Sequence, residues 1–183
     1  MIFIIADHSI KKLAILIGKN KPPVPAGGTS LAVNGMIGVA LLQLSFRVSK
    51  KSWEQKLQNR FTDYPHKFDD SLEYFDDTIK DDIKAFKTNQ KHNFENREEL
   101  KEIIDIPLNA AIKAREMLTL SDNFRNHIKE TVKADFAVGR LNLKTCIKGA
   151  IEIISSNYQF FDPNDNYIIK TKKEVENISD FIK

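Results

Sequence analysis

The run Pro22-Pro23-Val24-Pro25-Ala26-Gly27-Gly28-Thr29-Ser30 leads without a break into residues 31–51, a long apolar segment rich in small side chains and closed by Arg47, Lys50 and Lys51. Prolines fix φ and remove backbone donors, so the approach is stiff and cannot join a helix interior or a sheet ladder. Gly27 and Gly28 let another group come close to the backbone. Thr29 or Ser30 is placed to cap a helix, and the free N–H groups of such a start can hold an anion. With Ala32, Gly35 and Gly38 along it, the segment predicts a central helix over residues 28–49 that neighbours can approach closely. Everything after it reads as helices able to pack around this one.

The periodicity supports that reading. Residues 68–90 place Phe68, Leu72, Phe75, Ile79, Ile83 and Phe86 on one helical face, and residues 96–118 do the same with Leu100, Ile103, Ile104, Leu108, Ala111 and Ile112. Pro107 falls inside the second of these and is expected to kink it. Ser121 or Asp122 should cap a further stretch, continued as a long helix over residues 129–161. Asp162-Pro163 breaks the chain, and residues 164–183 resume as a charged terminal helix. A short helix over residues 9–17, capped by Asp7 or Ser9 and stopped by Gly18, precedes the proline loop. Residues 53–65 read as a polar connection with room for a helical turn. No alternating run of strand length competes, so the expected fold is all-α, an antiparallel bundle with a long Gly/Ala-rich central helix. At 183 residues and 42% hydrophobic content the chain suits one sizeable core, so a single domain over residues 1–183 is expected.

Several function classes lose support on composition and motif. A net charge of +3 and a pI near 8.8 suit an anionic small substrate but are too slight to argue for nucleic acid. The lone Cys146 excludes an internal disulfide and fits a reducing, cytoplasmic compartment. Residues 1–5 are apolar but followed at once by Asp7, without the basic lead and long core of a secretory signal. Residues 31–46 are short for a membrane span and carry Asn34 and Gln43, so no membrane partner is expected. No Gly-x-x-x-x-Gly-Lys-Ser/Thr loop is present. His8, His66, His92 and His127 are scattered without metal-ligand spacing, so no metal is expected.

Two carboxylates stand out. The steps of four and three that run from Phe68 through Ile79 to Phe86 leave position 82 as the vacant slot, so Asp82 falls on the apolar face and Asp81 points toward water. A carboxylate there must be hydrogen-bonded, paired or protonated, and desolvation raises its pKa toward the range useful for proton transfer. The plainer alternative is an Asp at the stripe's edge, with Ile83 filling the core. Asp135 lies a step of three beyond Val132 and four before Gly139, again on an inward side, where Gly139 leaves space for a ligand or for a neighbouring helix. Arg47, Lys50, Lys51, Lys56 and Arg60 form either a solvated basic face or a reception for an anionic group.

The opening Pro25-Ala26-Gly27-Gly28-Thr29-Ser30-Leu31-Ala32, with Gly35 and Gly38, resembles the Pro-Gly-Gly-Gly-Ser helix start of the cyclodeaminase/cyclohydrolase family of folate enzymes. Three later stretches resemble that family in order: Asp82-Ile83-Lys84-Ala85-Phe86 its Asp-Ala-x-Ala-Phe, Ile106-Pro107-Leu108 its Val-Pro-Leu, and Gly149-Ala150 with Asn157 its Gly-Ala-x-x-Asn-x-x-x-Asn. Ala134-Asp135 is similar to a Ser-Asp pair. Ala26, Lys80, Ala134 and Ile153 depart from the pattern.

The resemblance implies a helical enzyme of one-carbon metabolism that forms or opens 5,10-methenyltetrahydrofolate without metal or redox cofactor, as a homodimer. It implies Asp82 as proton acceptor, with Asp135 as orienter or pterin contact. Gly27, Gly28, Thr29, Ser30 and Asn157 would line the substrate pocket, and Lys50 or Lys51 would meet the glutamate carboxylates of the folate. The alternative is a non-catalytic folate binder or oligomeric scaffold that kept the fold.

Overall fold

A computed structural model describes residues 10–19 and 26–183 of the chain. The expected Asp7 or Ser9 cap, the apolar start and the proline approach lie outside the described residues. Seven helices follow in order: α1 (Ile10–Ile17), α2 (Gly27–Lys50), α3 (Gln55–Arg60), α4 (Tyr64–Lys91), α5 (Arg97–Asp122), α6 (Lys133–Asn157) and α7 (Asn166–Ile182). No strand occurs among the described residues. The all-α expectation holds.

The bundle proper is α2, α4, α5 and α6, and its directions can be read from contacts between their ends. The start of α2 lies beside late α4 at Asp82, while its other end stacks Phe46 on Tyr64 at the beginning of α4. Along α6 the order is likewise reversed, because Gly27 meets Ile153, Gly38 meets Gly139, and Ser45 reaches Val132. Asn89 of α4 bonds Glu99 of α5, while Ser71 lies against Met117. Sequential neighbours are therefore antiparallel. The charged terminal helix α7 lies against α5 and α6, and its cap Asp165 accepts from the Tyr167 N–H at 2.9 Å while pairing with Arg97.

Backbone proximity positions α2. Gly38 and Gly139 sit opposite one another, and a methyl group on Gly38 would come within 2.9 Å of the Gly139 carbonyl. At Gly35 the Phe75 ring already occupies the space a side chain would need. These glycines are required by close approach. α2 is also long and apolar enough, by composition, to cross a membrane; here it is the core helix, with Leu31, Ala32, Val39, Leu42 and Phe46 buried against α4, α5 and α6.

Three readings change. α2 begins at Gly27 with Ala26 in the N-cap position and no side-chain cap, so Thr29 and Ser30 lie inside the first turn. α5 runs through Ser121, whose hydroxyl donates back to the Leu118 carbonyl at 2.6 Å instead of starting a new helix; α6 then begins only at Lys133, after two short 3-10 turns. Residues 53–65 are less polar in effect than in composition. Trp53, Phe61 and Tyr64 are buried around Phe46, Phe68 and Phe124, with Phe46–Trp53 ring centroids 5.2 Å apart, and the Trp53 indole N–H donates to the His127 carbonyl at 2.9 Å.

The Gly38–Gly139 crossing yields a test. Gly38→Leu gains helix propensity of up to about 1 kcal/mol, yet its side chain has no room before Leu143 and the Gly139 carbonyl. Stability should fall overall, toward the upper end of the roughly 1–3 kcal/mol typical of overpacking, as read by urea unfolding. An unchanged midpoint would mean the helices do not meet at backbone distance.

Candidate functional site

The site grows from the uncapped start of α2. With no local side chain to satisfy its first N–H groups, α2 takes a carboxylate from another helix: Thr29 Oγ1 donates to Asp82 Oδ2 at 3.3 Å, and the Thr29 backbone N–H is a further donor. Asp82 reaches this position because Gly28 has no side chain. A Cβ there would overlap the carboxylate itself. Asp82 is therefore turned into the structure while Asp81 is exposed, and Ile83 packs at the margin of the core beside it.

Burial pushes the Asp82 carboxyl above its ordinary range, and the two Thr29 hydrogen bonds only partly oppose this. The macrodipole at a helix N-terminus favours an anion, so the site holds a carboxylate between two opposed influences, with desolvation the larger.

In front of the same helix start lies a cleft of about 270 Å³. It is lined by Gly27 and Gly28 of α2, Ile103 of α5, and Ile153 and Asn157 of α6. Three aromatic rings, Phe86, Phe94 and Phe160, complete it. Phe86 is 42% exposed, so the last member of the expected core stripe of α4 belongs to the cleft instead. Ile153 presses on Gly27, where a Cβ would stand 3.2 Å from its Cδ1. A larger hollow of about 630 Å³ lies elsewhere, between Lys56, Arg60 and His127. It contains none of the motif residues, and the smaller cleft is the better candidate.

Asn157 has a structural task. Pro107 lacks an N–H, so the Ile103 carbonyl one turn earlier has no helical donor. Asn157 Nδ2 donates to that carbonyl at 2.8 Å. One of the two amide hydrogens of Asn157, a residue expected to line the substrate pocket, is thus engaged by α5, which leaves its second amide hydrogen and its oxygen for the cleft.

The other expected residues are not gathered here. Asp135 sits half-buried in the first turn of α6, where an acid complements the helix dipole. That turn lies near Ser45, about 24 Å along α2 from Thr29 at 1.5 Å per residue. Lys50, whose ammonium lies 5.9 Å from the Phe46 ring centre, and exposed Lys51 are about 30 Å from the cleft on the same measure. Within one chain they cannot meet a ligand held at Gly28. Ser30 is half-buried one residue past Thr29. Among the described residues no three His, Cys, Asp or Glu side chains come together as a metal-binding group.

Phe94 and Phe160 escaped the sequence reading. A Phe inside the polar turn His92-Asn93-Phe94-Glu95-Asn96 was the available signal.

Comparison with known proteins identifies the family and the fold. The formiminotransferase-cyclodeaminase family model matches residues 10–177. The chain belongs to this family. It is also similar in fold to the crystal structure of formiminotetrahydrofolate cyclodeaminase from Thermotoga maritima, with a TM-score of 0.86 and 16% identity over 97% of this chain and 91% of that one. No curated protein matches the chain in sequence.

The raised Asp82 pKa has a signed consequence. A carboxyl protonated more readily in the folded state makes the fold most stable below its unfolded pKa, and stability is lost as pH rises through the folded value. Asp82→Asn removes that penalty. The variant should melt at nearly the wild-type temperature at acid pH, then increasingly above it as pH rises past the ordinary carboxylate range, with the gap levelling off beyond the raised pKa. Thermal unfolding from pH 4 to 8 measures this; a gap independent of pH would mean Asp82 is not shifted.

Proposed function

We propose that the protein is a folate one-carbon enzyme of the cyclodeaminase type, acting at the cleft in front of α2 with Asp82 as its proton carrier. The observation that carries this reading is the contact between Asp82 and Gly28: a carboxyl of raised pKa lies against a residue without a side chain that itself lines the cleft. Family membership supplies the chemistry. In cyclodeamination N10 of a 5-formimino folate, protonated on its formimino nitrogen, attacks the formiminium carbon; the N10 proton then passes to that nitrogen, and ammonia departs as the cationic methenyl bridge closes. In hydrolysis water adds to the same bridge and a proton returns to a ring nitrogen. Both need one group that accepts and then releases a proton. Asp82 has the chemistry for it, and neither reaction calls for a metal or redox cofactor.

The separated residues fit the same reading through a second copy of the chain. Ile37 and Leu44 on α2 and Val138 and Leu141 on α6 flank the Gly38–Gly139 crossing and are exposed, Leu141 at 61%. An isologous pairing across this face would run one α2 against the other. It would then bring the Lys50 and Lys51 end of one chain alongside the Gly28 cleft of its partner. A cytoplasmic homodimer is thus part of the proposal. A scaffold without catalysis draws its support from Ile153, which offers the cleft only apolar surface where the family pattern has an Asn.

Two measurements test the proposal. Incubation with 5-formimino- and 5,10-methenyltetrahydrofolate, followed spectroscopically, should show turnover of at least one. Asp82→Asn should lower it by roughly two to four orders of magnitude, the usual worth of a general acid–base group. Absence of turnover with both substrates favours the scaffold; near-normal turnover in a folded Asp82→Asn protein moves the proton carrier elsewhere. By light scattering the protein should have about twice the 21.0 kDa chain mass, and Leu44→Glu with Leu141→Glu should leave a folded monomer. A wild-type monomer across a tenfold concentration range removes the dimer.

A further inference from the structure

Phe94 is the most unusual residue of the cleft. Its φ is 58° and that of Asn93 is 54°, so two successive residues occupy the left-handed region. Asn adopts that conformation readily; Phe does not. A bulky residue persists there only where its surroundings hold it, and such positions cluster at ligand sites. The hold is visible. The Phe94 N–H donates to the Asn89 carbonyl at 2.8 Å, and the buried Asn89 side chain ties the end of α4 to α5 by donating to the Ala85 and Glu99 carbonyls.

What the strained backbone delivers is a ring in a fixed place. Phe94 stacks on Phe160 with centroids 5.2 Å apart and planes 13° from parallel, while Phe86 meets Phe94 edge-on at 5.9 Å. The three rings come from α4, the α4–α5 turn and the 3-10 turn after α6. Phe160 remains 39% exposed at the cleft. A stacked pair whose outer ring is partly exposed in a cleft is a poor use of aromatic area in a core and a good one for receiving a flat ligand.

Resting on the folate reading above, we infer that Phe94 and Phe160 form a stacking platform for a flat ring of the substrate, with Phe160 as the contact ring and Phe94 as its rigid backing. Phe160 touches the ligand. Phe94 is a positioning residue, held by its turn so that Phe160 cannot fold away.

The experiment is calorimetric titration of 5-formyltetrahydrofolate, a stable reduced folate, into wild type, Phe160→Leu, Phe94→Leu, Phe94→Tyr and Phe94→Gly. Stacking terms of this size predict about a three- to tenfold weaker Kd for Phe160→Leu and for Phe94→Leu, with Phe94→Tyr near wild type. Phe94→Gly separates strain from binding. It suits the left-handed backbone, so it should stay folded by circular dichroism while losing affinity like Phe94→Leu. If wild type binds and folded Phe160→Leu and Phe94→Gly bind equally well, the platform is overturned and the folate reading stands. If wild type binds no reduced folate, the folate reading falls, and the platform with it.

Discussion

A helix can be approached at backbone distance only where it offers its neighbours no side chain to collide with. α2 meets this condition at three places: Gly28 admits a carboxylate, Gly35 a phenyl ring and Gly38 a backbone carbonyl. The long aliphatic residues between them then fill the remaining space, and α4, α5 and α6 arrange themselves around the result. Because the helix is approached at backbone distance, its first turn can be completed by a residue distant in sequence. The function proposed for this chain depends on that one arrangement.

Asp82 is caught between two roles that use the same geometry. As an acceptor for Thr29 it finishes a helix that has no cap of its own, and this favours the charged form. As a desolvated acid it is better off protonated, and burial dominates. A group balanced in this way changes charge easily when its surroundings change slightly, as they would when a ligand excludes water from the adjoining cleft. A purely structural cap would be expected at a more solvated helix end, where the anion is stabilised without opposition.

Much of the architecture was legible because long helices announce themselves by period. The stripes of α4 and α5 were strong enough to locate those helices, and the interruption of the α4 stripe at position 82 pointed to the inward turn of its carboxylate. The aromatic cluster around Phe46 was not legible, since Trp53, Phe61 and Tyr64 follow no single period and sit in a stretch whose other residues are polar. Distance was not legible either. Lys50 and Asp135 were expected around the same substrate as Gly28, but within one chain α2 carries Lys50 to its far end and the antiparallel α6 begins near that end, away from the opening of α2. For Phe94 the only signal was its place in a polar turn; its left-handed backbone, which its residue type disfavours, was not legible.

Pro107 and Asn157 lie on different helices and act as one unit. The proline withholds a hydrogen from α5, and the asparagine returns one from α6 to the carbonyl left waiting. The allegiance of Asn157 is therefore decided fifty residues away in the chain. Any residue at position 107 that carried an amide hydrogen would let α5 close its own ladder, and the Asn157 side chain would be released toward the cleft. The two positions should then be interpretable only together, since the proline commits one hydrogen of that amide to the architecture.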